Sequence, residues 1–174
     1  MKAVEGLDPR FLAQVAKLLA ACARRGVEMR PYSGVRGPLE QAKLWRQGRT
    51  RQEIGATMKR LHEGGAPHLA ACIGAVGPQH GKRVTGAWPG ASWHNHGEAV
   101  DCLLVVNGEA EWDAAAPGWI IYAEEARMLG LKPGRDFGDS PHIQMRHGEP
   151  TAFGLVKLDA MMVARFPVDL AGLA

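Results

Sequence analysis

The run Ala99–Val106, AVDCLLVV, limits the possible folds of this chain more than any other stretch. Every residue in it except Asp101 is apolar, so it reads as a buried strand. The Asn107-Gly108 that follows is the strongest short hairpin signal, because a two-residue turn of the favoured hand needs positive φ at both positions. Glu109–Trp112 is then the returning segment. An aspartate near the mouth of a buried strand is costly unless it is paired or binds a metal. On its own, Asp101 could simply cap the strand. The rest of the chain has to decide.

Helices are signalled around this strand. Asp8-Pro9 is an N-cap followed by proline at the first helical position, and Phe11, Val15, Leu18, Leu19 and Cys22 recur at helical spacing until Gly26. The stretch VEMRPYSGVRG reads as a short strand running into a turn, and Pro38 and Gly48 bound a second helix. Thr50 and Glu53 form a capping-box pattern for a third, ending near Leu61. From Glu63 to Gly90 glycines, prolines and polar residues predict loop, and the wider span 51–82 reads as an inserted excursion. Pro117 opens another amphipathic helix, closed by Gly130. The segment KPGRDFGDSP predicts a loop feeding a strand, HIQM, and the tail AFGLVKLDAMMVARF predicts a helix. Helices kept apart from a few antiparallel strands give an α+β fold, and 174 residues suffice for one domain with a real core.

Composition narrows the class. Hydrophobic residues at 46% and charged residues at 22% are globular proportions and exclude disorder. A net charge of +3 suits an anionic partner such as nucleic acid or cell-wall polymer, but an ordinary surface with some excess arginine explains it better. Arg49–Arg51 is too short for a nucleic-acid patch, so no nucleic acid is expected. Cys22, Cys72 and Cys102 are odd in number and lack a C-x-x-C pair, which predicts free thiols and a reducing compartment of synthesis. No apolar run is long enough to span a bilayer and the N-terminus has no signal-type core, so cytoplasmic synthesis and a monomer without membrane insertion are expected.

Chemistry concentrates in Ser92–Asp101, SWHNHGEAVD, and in DFGDSPHIQ. Three consecutive letters spelling HNH carry little weight, because adjacent positions on an extended chain point to opposite faces. His94 and Asp101 are separated by a turn that Gly97 permits, and His142 starts another strand with Asp139 three residues earlier. Two histidines and a carboxylate with an open fourth position make the ligand set of a catalytic zinc. Such a site also needs a nearby carboxylate that is not a ligand.

These residues resemble a family. SWHNHGEAVD fits S-x-H-x-x-G-x-A-x-D and DSPH fits D-x-x-H, patterns of the zinc D-alanyl-D-alanine carboxypeptidases and L-alanyl-D-glutamate endopeptidases. That family includes phage endolysins, bacterial wall peptidases and vancomycin-resistance dipeptidases, and shares its fold with the hedgehog signalling domain. YSGVRGPLEQAKLWRQGR, VTGAWPGASWHNHG and ARMLGL are similar to the endolysin branch, and the resemblance covers about 27–50 and 84–146.

The resemblance implies zinc held by His94, Asp101 and His142, with Asp139 as general base. It implies Arg36 as the cation that steadies the developing oxyanion and Ser92 as a substrate contact. The substrate implied is the peptidoglycan stem peptide, cut between L-alanine and D-glutamate, by an enzyme that reaches the wall through a holin-type pore. The rivals are a D,D-carboxypeptidase or dipeptidase and a silent zinc-binding module. The 51–82 excursion is expected beside the zinc cleft, with His62, His68 and His80 not ligating the catalytic metal. His96 is expected behind the ligands or on the surface and not on the metal, and Gln144 stands where some related zinc peptidases carry another histidine.

Overall fold

The computed structural model describes residues 2–167. In chain order the elements are α1 (Pro9–Arg24), β1 (Glu28–Ser33), α2 (Pro38–Arg46), α3 (Arg51–Glu63), α4 (Pro67–Ala75) and α5 (Trp93–His96). These are followed by β2 (Ala99–Val106), β3 (Glu109–Glu111), α6 (Pro117–Met128), β4 (Lys132–Pro133), β5 (His142–Gln144) and α7 (Leu155–Arg165). The architecture is α+β, with one antiparallel sheet ordered β1-β2-β5-β4 and β3 also paired to β2.

The chain sorts into two compact units. One holds residues as far as Val35 together with His96–His147, and the other holds Arg36–Asn95 together with the chain from Gly148 onward. The first is the sheet unit. Its core joins Phe11, Val15, Leu18 and Cys22 of α1 to Val100, Cys102 and Leu104 of β2 and to Trp119 and Tyr122 of α6. The Asp8 carboxylate accepts the Arg10 and Phe11 N–H groups, so α1 starts where its cap is written. Asn107 at φ 53° and Gly108 at φ 85° turn β2 into β3, as the dipeptide predicts.

The second is helical, and it corrects the expected loop. Residues 63–90 contain α4, whose Leu69, Ala70, Cys72 and Ile73 are buried. Leu69, Ala70 and Ile73 join Trp45, Ile54, Leu61, Leu158 and Met162 in a separate core. Pro67 stands at the first helical position, but Ala66 offers no side-chain cap, PHLAACIGA is too uniformly apolar to show a helical period, and the glycines on either side read as loop. The missing cap comes from afar: Asp159 of α7, 9% exposed, accepts the Leu69 N–H at 2.9 Å. The capping box of α3 is present, with Glu53 N–H on Thr50 Oγ1 and Thr50 N–H on Glu53 Oε2.

Two smaller differences follow. KPGRDFGDSP is not all loop, because Lys132–Pro133 pairs with β5 and Gly134–Phe137 is a turn of 3-10 helix. His94, Asn95 and His96 are not extended but occupy one helical turn, all buried. Cys22, Cys72 and Cys102 are free and buried. Burial raises their thiols to about 11, 12 and 12, so they stay protonated and inert at neutral pH. Among the described residues no helix is long and apolar enough to cross a membrane.

Candidate metal centre and active site

The β2–β5 register makes Asp101 and His142 direct partners. Directly opposed residues of an antiparallel pair project to the same face, so strand pairing alone brings carboxylate and imidazole together. Val100 and Cys102 point to the core, and Asp101 therefore points the other way, with 13% of its side chain exposed. His142 Nδ1 lies 3.1 Å from Asp101 Oδ1. One ligand atom from each of His94, Asp101 and His142 falls within 4.8 Å of the others. Among the described residues no such group includes His62, His68 or His80; His68 instead rests its Nε2 3.6 Å from Cys72 Sγ.

The hydrogen bonds around His142 test whether these residues suit a cation. Gln144, 5% exposed, donates its amide to the Arg146 carbonyl, which turns its Oε1 toward His142 Nε2 at 3.1 Å. His142 therefore meets an acceptor oxygen at each nitrogen. Only a protonated ring, or a neutral ring with a cation between Nδ1 and Asp101, satisfies both. Burial by itself would lower the His142 pKa, but the hydrogen bond and charge of Asp101, with Asp139 and Gln144 behind them, hold it above the usual imidazole value. A histidine ligand that donates its other N–H to a carbonyl is the common arrangement at metal sites. The donor set fits a metal ion.

Asp139 is exposed and sits in the turn before β5, where its carbonyl accepts the His142 N–H at 3.1 Å. Its own N–H bonds the Gly134 carbonyl. Gly134 has to be bare, because a Cβ there would collide with the Asp139 carbonyl and lie 2.6 Å from His142 Cβ. Phe137, 52% exposed, meets the His142 ring edge-on at 5.7 Å. Glu98, another carboxylate four residues after His94, is 8% exposed and bound by the Arg146 guanidinium at both oxygens, which leaves it poorly placed to accept a proton.

Arg36 is half-buried, and its backbone is fixed to α5: its N–H donates to the His94 carbonyl at 3.1 Å, and its carbonyl accepts the Asn95 amide at 2.8 Å. Asn95 also accepts the Gly90 N–H, so one buried amide holds both flanking loops. The guanidinium donates to Gln41 Oε1 at 3.0 Å, and fully buried Gln41 is held in turn by the Ala87 carbonyl. Ser92 is half-buried at the head of α5, its carbonyl accepting the Asn95 N–H. His96 is buried. Sequence reasoning missed Asn95, Gln41 and the role of Gln144; a polar side chain of zero or near-zero exposure is a burial signal that only the fold reveals.

A family model described as VanY, D-alanyl-D-alanine carboxypeptidase, matches residues 5–118, more than half of the chain. The chain belongs to this family. The matched span includes Arg36, Ser92, His94 and Asp101 and stops before Asp139 and His142. A VanY-family chain of this kind is also similar to the peptidoglycan L-alanyl-D-glutamate endopeptidase CwlK of Bacillus subtilis (strain 168). The two are 29% identical over 150 residues, covering 80% of this chain and 73% of the relative.

Proposed function

We propose that this chain is a zinc peptidase of peptidoglycan stem peptides, cutting between L-alanine and D-glutamate as a phage or prophage endolysin released through a holin-type pore. The convergence of His94, Asp101 and His142 carries this reading, and likeness to an endopeptidase of that specificity over most of the chain supports it. Two imidazoles and one carboxylate, leaving a fourth position open, suit zinc better than calcium or magnesium, which prefer all-oxygen sites. A bound zinc supplies Lewis acidity and lowers the pKa of water. Asp139, exposed beside the ligands, takes the proton from the attacking water and returns it to the leaving amine. Arg36 offers a fixed cation to the carbonyl oxygen as negative charge develops, and the Ser92 hydroxyl orients the peptide.

The family description favours a second reading, a D-alanyl-D-alanine carboxypeptidase. Digestion of purified peptidoglycan followed by mass spectrometry separates the two. New peptides beginning with D-glutamate are expected. Free D-alanine with intact stem N-termini would replace the first reading with the second. An absence of any hydrolysis by the metal-loaded protein would leave a silent metal-binding module.

A further inference from the structure

An aromatic pair on the sheet unit is not used by this chemistry. Tyr32 and Trp112 are 46% and 57% exposed, and their rings meet edge-to-face with centroids 5.8 Å apart. Neither belongs to the core. Tyr32 is the extra residue in the β1 irregularity between Pro31, which pairs with Cys102, and Ser33, which pairs with Asp101. Bulges of this kind re-aim a side chain next to a functional site. On the other side of β2, Leu104 pairs with Glu111, and carrying that register one residue further sets Trp112 beside Leu103.

The face follows from alternation along β2. Cys102 and Leu104 point into the core, so Asp101 and Leu103 share the opposite face. Tyr32 and Trp112 reach toward each other across β2 on that same face, over a half-buried Leu103. Two residues along a strand are about 7 Å, so the pair stands roughly that far from the metal-ligand carboxylate.

We propose that Tyr32 and Trp112 form a subsite for the N-acetylated amino sugar that carries the stem peptide. This rests on the L-alanyl-D-glutamate reading, because covalent distance decides it. In peptidoglycan the sugar bears a lactyl group whose carbonyl is joined to L-alanine. One amino acid and one lactyl unit at about 3.5 Å each put the sugar about 7 Å from a scissile bond after L-alanine. A cut between the terminal D-alanines would put it several residues further away, beyond this pair. A pyranose presents a flat face of C–H groups that packs against an indole. A polar rim borders the pair too: exposed Arg30, ion-paired with Glu28, has Leu103 as its direct strand partner. Large rigid aromatics supply such contact at low entropic cost.

The test compares a disaccharide-bearing stem peptide with the same peptide capped by a bare lactyl group, using the zinc-loaded full chain. The parent should prefer the sugar-bearing substrate by about ten-fold or more in kcat/KM, the range of one good apolar contact in a pocket. Trp112→Ala should pull that ratio toward one, mainly through KM, and Trp112→Phe should keep most of it. Far-UV dichroism and melting temperature check that the variants fold. A parent with no preference, or Trp112→Ala lowering both substrates equally, overturns the subsite. Product masses from the parent report separately on the bond: peptides beginning with D-glutamate alongside a flat ratio sink only the subsite. Release of D-alanine sinks the bond reading, and with it the distance argument.

Discussion

The two units reach the same end, a dry core, by different routes. In the sheet unit several elements carry their own instructions: Asp8 caps α1, Asn107-Gly108 turns the hairpin, and Pro117 opens α6. In the helical unit α3 carries a capping box, but α4 has only Pro67 at its first position and takes a side-chain acceptor from Asp159, 90 residues away. The sheet unit is thus specified largely by neighbours in sequence, and α4 by neighbours in space. An element of the second kind can be as well buried as one of the first and still show little periodicity to read.

The largest expected effect asks what Asp139 in the sheet unit does. Asp139→Asn keeps size and hydrogen bonding but removes basicity, so hydrolysis of purified peptidoglycan should fall by roughly 10²–10⁴-fold while zinc content stays at the parent level. His94→Ala should lose zinc and activity together. If Asp139→Asn loses zinc as well, Asp139 is a ligand and the place of Asp101 in the set falls.

Next comes a direct contest between the two cores. Ile143 and Ile73 are both fully buried, one in β5 and one in α4. Ile143→Ala and Ile73→Ala should each cost about 2–5 kcal/mol in urea unfolding. A cost for Ile73→Ala below about 0.5 kcal/mol, the scale of surface positions, would return α4 to the status of a loose excursion.

Gln144 sharpens the account of the sheet unit. Removing the carbonyl that faces His142 Nε2 releases the tautomer, so Gln144→Ala should weaken zinc binding roughly 10–100-fold in competition with a chelator. Unchanged affinity would show that the ring needs no such partner.

The smallest effect lies in the helical unit. Bonds from the Thr50 N–H and hydroxyl, with the Arg83 guanidinium, hold Glu53 down to about 2. A folded value below the unfolded one means that the contribution is whole above about pH 4.5 and fades as pH falls toward 2. Glu53→Gln should therefore narrow its stability gap to the parent as pH drops through that window. A gap that stays constant from neutral pH down to pH 2 would assign the effect to packing.

Much of the site was legible because its parts are bound to strong local patterns. His94 and Asp101 flank a glycine turn, His142 follows Pro141 into a strand, and the β2–β5 pairing then sets carboxylate against imidazole. Burial was the illegible part. Gln41, Asn95 and Gln144 look like ordinary surface amides until the fold encloses them, and Gly134 looks like loop punctuation until Asp139 and His142 close on it. The resemblance supplied Arg36 and Ser92. Neither residue stands out by type alone, because a lone arginine or serine in a turn is common.

The bond from the Leu69 N–H to Asp159 also bears on the order in which the chain can organise itself. A ribosome releases α4 long before it makes α7, and a nine-residue helix is too short to hold itself together in water. Until the later segment arrives, PHLAACIGA can pack on α2 and α3, but the Leu69 N–H lacks its Asp159 acceptor and Leu158 and Met162 are missing from the core. For that interval the nascent chain carries a partly covered apolar segment of the kind that chaperones bind. Closing a loop of this length is entropically slow. The Asp159 carboxylate is therefore among the last supports of α4 that the growing chain can supply.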